Sequence, residues 1–598
     1  MYKIAAAVLA CFGAPLLLVA TAQVAVPGLL VNAAHRATIS LDGAWRIIID
    51  PYESGFDQRF YENRKPKSPS ERVEYDFDTS EPLTVPGDWN TQAKKLLLYE
   101  GLIWYERPFT YTKRPGRRVF LSFGAANSHA SVFLNGVRLG EHTGGFTPFA
   151  FEVTDALRDG DNFVVVAVSN ARHADGVPPL VTDFWNYGGL TRHVGLVEVA
   201  GVFVRDYLVQ LAPGSRTEVA GWVQLDGATK PESVTLRIPE AGIERRLTTD
   251  AAGRAEFQFP VQLDLWSPAH PRLYKVSLTA ADETLDDEIG FRTIEARGSR
   301  IWLNGAPLFL RGISMHEEAP LRGGRAYSVD DDRILLEWAK DLGCNFVRLA
   351  HYPYNEDMVR LADRMGLLVW EEIPVYWRLD WQNPATFQNA EQQLGELIAR
   401  DRNRASVAFW SVANETPESA PRTEFLKRLA STARRLDASR LITAAFVAPR
   451  AQQPFVRTFT DSLGGALDVI GVNEYIGWYE GAPEDAERTR WASAFAKPMI
   501  LSELGAEAPY GRHGSDGAVW TEEFQARVYE HQIRMIEQMP DLAGMSPWLL
   551  MDFRSPRRWL PGVQDFYNKK GLISGAGERK KAFYVLQSFY RARAAAEK

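Results

Sequence analysis

Apolar and polar positions change their rhythm along this chain. From about Ala37 to Val199, short β-branched and aromatic runs alternate with polar residues. They stop at turn signals such as Pro86-Gly87-Asp88, Asn135-Gly136 and Asp159-Gly160-Asp161. A period of two broken at such intervals predicts an all-β sandwich. Val132–Gly140 reads as a hairpin, because Asn135-Gly136 supplies the positive φ angles a two-residue turn needs. A second β region runs from about Gly201 to Glu295, with Val234–Ile238 and Leu273–Leu278 as strands, and has the size of an immunoglobulin-like sandwich. After Arg297-Gly298-Ser299 the pattern becomes strand then helix, repeatedly, which predicts parallel β/α units. The candidate strands are Phe309–Ile313, Phe346–Ala350, Leu367–Trp370, Val407–Val412, Leu441–Ala445, Val469–Val472, Met499–Ser502 and Gly544–Leu549, with helices such as Asp330–Leu342 and Asn355–Met365 between them. Eight such strands in about 300 residues predict a (β/α)8 barrel.

Two carboxylates change the picture. Val412-Ala413-Asn414-Glu415 and Leu501-Ser502-Glu503-Leu504-Gly505 each set a glutamate just after an apolar strand-like run. On the strand count Glu415 follows the fourth strand and Glu503 the seventh, and residues at the C-terminal ends of barrel strands face one pocket. A pair of carboxylates is the minimum equipment for cleaving a glycosidic bond. Taken singly, each is as readily a solvated strand-end glutamate.

Composition narrows the partner. A formal net charge of −7, with no long basic run, argues against nucleic acid. The 17 Trp suit stacking on sugar rings, although Trp also fills ordinary cores. Behind Met1-Tyr2-Lys3 an apolar run from Ile4 to Ala20 ends in Ala20-Thr21-Ala22, which reads as a signal peptide over 1–22, and no stop-transfer pattern or transmembrane anchor follows. Cys11 offers a lipidation site, but the apolar run continues past it, so ordinary cleavage is expected. The remaining Cys344 cannot form an internal disulfide, and an exported protein of that kind fits a bacterial periplasm or the cell exterior. A homo-oligomer stays open.

Together the strings Asp183-Phe184-Trp185-Asn186-Tyr187-Gly188-Gly189, His351-Tyr352-Pro353, Val412–Glu415, Asn473–Tyr479 and Asn568-Lys569-Lys570-Gly571 resemble glycoside hydrolase family 2, and within it the β-glucuronidases. The resemblance implies a jelly-roll-like sugar-binding sandwich over 23–200, an immunoglobulin-like sandwich over 201–295 and a catalytic TIM barrel over 296–598. It implies Glu415 as general acid/base and Glu503 as nucleophile, acting with retention at a carboxyl separation of about 5–5.5 Å. Glu415 is then expected to be protonated near neutrality and Glu503 ionised. No metal or cofactor is called for. By the same resemblance Asn414 would bond the sugar 2-hydroxyl, Tyr475 would sit beside Glu503, and Trp548, ending the eighth strand, would lie under the ring. Asp183 and His351 would meet sugar hydroxyls, with Asp183 reaching over from the first sandwich, and Tyr479 would be a further substrate-binding residue.

Asn568 and Lys570 would pair with the C6 carboxylate of a uronic acid, an anion matched by an amide and an ammonium. The expected activity is exo-acting release of terminal β-D-glucuronic acid from a carbohydrate substrate, with β-galacturonidase, neutral β-galactosidase and an inactive carbohydrate-binding protein as alternatives. Some features depart from the family. The arginine usual before the Asn-x-Lys string is missing, leaving Arg554, Arg557 and Arg558 as replacements or as surface ion pairs. Glu474 stands where Arg is common. The segment Trp377–Pro384 carries no long flap, an open mouth that suits larger leaving groups, with a uronosyl oligosaccharide as the expected substrate.

Overall fold

The computed structural model describes residues 28–597 except 69, 72–74 and 452. The signal peptide and Cys11 lie outside the described residues.

Two antiparallel sheets form the first sandwich. One orders Pro82–Val85, Gly43–Asp50, Leu102–Tyr111, Gly160–Ser169, His129–Leu134 and Val137–Thr143; the other orders Ala37–Ser40, Val194–Ala200, Arg117–Phe123 and Phe149–Glu152. Alternate residues of facing strands, Trp45, Ile103, Leu121, Phe123, Val164 and Val166, meet between them as a dry core. The predicted hairpin is present, with Asn135 at φ 52° and Gly136 at φ 82°. A second sandwich packs Phe203–Leu211, Glu218–Asp226 and Arg254–Pro260 against Ile243–Thr248, Ser233–Ile238, Tyr274–Ala280 and Glu283–Ile289, around Val209, Val223, Leu236 and Val276.

The barrel is closed by eight parallel strands: β1 (Leu310–Met315), β2 (Phe346–Leu349), β3 (Leu368–Glu372), β4 (Val407–Asn414), β5 (Leu441–Val447), β6 (Ile470–Asn473), β7 (Met499–Glu503) and β8 (Leu542–Met545). Helices Val329–Leu342 and Glu356–Met365 start on the side-chain caps of Ser328 and Asn355, which satisfy first-turn N–H groups. The eighth strand differs from expectation. It ends at Met545 rather than Leu549, because Pro547 has no N–H to continue a ladder; Trp548 therefore follows the strand in a loop. Cys344 is a buried free thiol just before β2. Among the described residues no helix is long and apolar enough to cross a membrane.

Candidate active site

The C-terminal ends of the barrel strands open into a cavity of about 610 Å³, lined by Glu415, Glu503, His351, Tyr475, Tyr479, Trp548, Asn568, Lys570 and, from the first sandwich, Asp183. Nine of the ten residues singled out from the sequence thus line one space. Asn414 is the exception: it is buried behind Glu415, and its Oδ1 accepts from Arg348 (2.8 Å) and Asn473 (3.2 Å).

The floor is built around a buried cation. Arg348, on β2, donates from Nη1 to Glu503 Oε1 (2.8 Å) and from Nη2 to Glu372 Oε1 (3.0 Å). His351 Nδ1 donates to the same Glu372 oxygen at 2.7 Å, and the Trp370 indole donates to the other at 2.8 Å. Burial alone would raise the Glu372 carboxyl, but Arg348 and His351 outweigh it and bring it down to about 2. His351 is thereby fixed in orientation, with its ring stacked on Trp548 at 4.9 Å and 18°.

The two glutamates are held differently. Glu503 accepts from Arg348 on one oxygen and from the Tyr475 hydroxyl (2.7 Å) on the other. Glu415 adopts φ 51° immediately after β4, and its oxygens accept from the Asn473 amide (3.1 Å) and the Trp377 indole (3.0 Å), both neutral donors. Burial pushes Glu503 up to about 7, Arg348 and the Tyr475 hydrogen bond oppose that, and the negative charge of Glu415 adds to it. The expectation of a plainly ionised Glu503 therefore needs revising: it titrates near neutrality because it lies out of water and feels the other carboxylate.

At the far end of the cavity two cations meet two internal carboxylates. Arg558 donates to Asp183 through Nε and Nη2 (3.1 and 2.6 Å), and Ser555 and Asn568 donate to the same side chain. Lys570 Nζ donates to the Tyr479 hydroxyl (2.7 Å) and to Glu507 Oε1 (2.9 Å). Glu507 also accepts from Gln564 and from the backbone of Lys569, and lies 3.5 Å from Arg558. Burial would raise Glu507, but Lys570 and Arg558 hold it below its ordinary value. Of the three candidate replacement arginines, Arg558 and Arg557 reach the cavity, Arg557 stacking on Trp377. Arg554 instead bonds Tyr567 and lies over Trp185. Glu474 is buried away from the cavity, accepting from Ile476 N–H, and burial pushes it up to about 8.

Sequence reasoning missed Arg348, Glu372, Asn473 and Glu507. The first two had a signal: a charge in or at the end of a short, otherwise apolar strand run such as Phe346–Leu349 or Leu368–Glu372, both wholly buried, must be paired, and a pair converging from two strands marks the barrel interior. Among the described residues no group of three or more His, Cys, Asp or Glu is placed to hold a metal ion.

Comparison with known proteins agrees with this construction. Residues 38–200 match the sugar binding domain of glycosyl hydrolases family 2, and residues 294–557 match its TIM barrel domain. The chain is 29% identical to a β-glucuronidase of Paenibacillus borealis over 92% of its own length and 96% of the relative's. A solved β-glucuronidase from an uncultured Clostridium sp. superposes with TM-score 0.81 at 25% identity, covering 94% of this chain and 99% of that one. A β-galacturonidase from Eisenbergiella tayi shares the fold, with TM-score 0.78 at 24% identity, over 93% of this chain and 96% of that one. With both domain models matched over more than half of its length, and two strand-end carboxylates on one cavity, the chain belongs to glycosyl hydrolases family 2 and is a glycosidase.

Proposed function

We propose that the protein is a retaining, exo-acting β-uronidase that releases terminal β-D-glucuronic acid. The observation that carries the reading is the single cavity that joins Glu415 and Glu503 to Asn568 and Lys570. In the first step a Glu503 oxygen bonds to the anomeric carbon while Glu415 delivers its proton to the departing oxygen, whose bond to that carbon breaks. In the second step Glu415 takes a proton from water, the water oxygen bonds to the anomeric carbon, and Glu503 leaves as carboxylate. Arg348 and Tyr475 donate to both oxygens of Glu503 and so favour its anionic form, which is both the attacking species and the leaving group.

The sugar's C6 carboxylate would meet Lys570, whose ammonium has three donors and spends two of them on Tyr479 and Glu507. One observation favours a second reading. Lys570 and Arg558 already carry the partner carboxylates Glu507 and Asp183, a charge-balanced set that suits a neutral β-galactoside. Parallel kcat/KM values on p-nitrophenyl β-D-glucuronide, β-D-galacturonide, β-D-galactoside and β-D-mannoside separate the two, and NMR of the anomer first released tests retention. A uronide-only profile is expected; preference for a neutral sugar, or inversion, overturns the proposal. The apolar segment within 1–22 supports export as part of the same reading, checked by the N-terminal sequence of the mature protein.

A further inference from the structure

Two segments must meet before Asp183 can hold Arg558 and Asn568: a loop of the first sandwich and the stretch after β8. Both are tied to one buried carboxyl that lies outside the cavity. Glu318, just after β1, is 5% exposed, and the Tyr187 hydroxyl donates to it from 2.9 and 3.0 Å of its two oxygens. The Arg554 backbone N–H donates to Glu318 Oε1 at 3.3 Å. Tyr187 shares its loop with Asp183. Arg554 belongs to a short antiparallel ribbon in which Phe553 pairs with Asn568 and Arg554 with Tyr567, and Ser555, the next residue, donates to Asp183 at 2.7 Å. Each hydrogen bond of Glu318 therefore lands a few residues from one side of the Asp183 contact.

We propose that Glu318 is a positioning residue for substrate recognition: by holding Tyr187 and the Arg554 N–H at once, it sets the sandwich loop and the ribbon in the register that lets Asp183 face the cavity together with Arg558 and Asn568. The inference deepens the proposed function and rests on the far end being where the sugar is held. The other bridge between the two segments is Trp185, which lies under Arg554 and meets the edge of Phe566. Ring contacts of that kind keep the segments close but tolerate sliding, whereas hydrogen bonds to one carboxyl fix distance and direction. Burial pushes Glu318 up to about 8, against the Tyr187 hydrogen bond and Arg554, with Asp88 adding to the rise. An apolar side chain of like volume is often the more stabilising occupant of such a place, so the use of the carboxyl lies in what it aligns.

The test is a double-variant cycle on whichever p-nitrophenyl glycoside the wild type turns over fastest, so that a neutral-sugar profile overturns the proposed function and leaves this test in place. Tyr187→Phe removes one hydroxyl and keeps the ring. It is expected to raise KM about tenfold, the loss of one hydrogen bond, with kcat within about twofold. Glu318→Gln, which keeps the shape, should act in the same direction. Because Tyr187 is held to work through Asp183, Tyr187→Phe added to Asp183→Ala should change KM by less than about twofold beyond Asp183→Ala alone. Effects that multiply, or a fall in kcat with KM unchanged, overturn the inference. Hydrogen exchange reads the alignment without turnover: in Tyr187→Phe, peptides covering 183–189 and 553–568 are expected to exchange about tenfold faster, with the rest of the chain as in the wild type. Unchanged exchange in both peptides overturns the inference. If Asp183→Ala leaves KM alone, or no glycoside is turned over, it is the reading of the far end or the proposed function that has failed, and hydrogen exchange decides the role of Glu318 separately.

Discussion

The floor and the far end of the cavity are built on opposite plans. The floor comes from neighbouring barrel strands: Arg348, Glu372, Asn414, Asn473 and Glu503 sit on β2, β3, β4, β6 and β7 and lock one another through the Arg348 guanidinium and the Asn473 amide. The far end is gathered from unrelated stretches, with Asp183 from a sandwich loop, Glu507 after β7, and Arg558 and Lys570 after β8. On the floor one cation answers two carboxylates, and burial, with the negative charge of Glu415 added, still pushes Glu503 up to about 7. At the far end two cations answer two carboxylates. On the proposed reading, chemistry belongs to the unbalanced set and recognition to the balanced one.

The largest effect should come from breaking the floor. Glu503→Gln is expected to lower kcat by at least about 10⁴-fold, because an amide cannot form the glycosyl ester. Glu415→Ala should spare only substrates with good leaving groups and be rescued by added azide; full activity on a poor leaving group removes Glu415 from the role of acid. Breaking the far end should be selective. Lys570→Ala is expected to cost about 100-fold in kcat/KM on the glucuronide, through loss of a charge-assisted contact, and almost nothing on the galactoside. Equal losses on both would make Lys570 a structural cation.

A smaller effect sharpens the charge argument. Since Glu503 must be ionised to attack and is pushed up to about 7, kcat/KM should rise with pH through about 7. Tyr475→Phe removes a donor that favours the carboxylate, so this limb should move to higher pH, with kcat/KM at neutrality down about tenfold. A limb left in place would show that Tyr475 does not act on that carboxylate. The same proton is also read in stability. The folded protein holds the Glu503 proton to about 7, against an ordinary value of 4.5, so it binds more protons than the unfolded chain between those values. Its stability relative to Glu503→Gln should then be highest below 4.5 and fall by about 3 kcal/mol as pH rises through 7, read from denaturation of both proteins across that range.

The same contrast governs what could be read from the sequence. Barrel strands announce themselves as apolar runs, and Glu415 and Glu503 stand out because each follows one. Trp548 was displaced from its strand by a single Pro547, a local signal passed over. Arg348 and Glu372 stayed hidden because a charge within an apolar run looks like an interruption until its partner is known. The far end was legible only residue by residue. Asn568 and Lys570 suggested an anion site, but nothing in their spacing says that Glu507, four residues after Glu503, already faces the ammonium. Nor does any pattern place Asp183 on Arg558, 375 residues later.

That distance bears on how the site comes into being. Asp183 waits for Asn568 across 385 residues of chain, so synthesis must pass Asn568 before the far end of the cavity can close, long after the first sandwich has had the chance to fold. A nascent or truncated chain that stops short of residue 558 can carry the glutamates of the floor and still lack both cations of the far end.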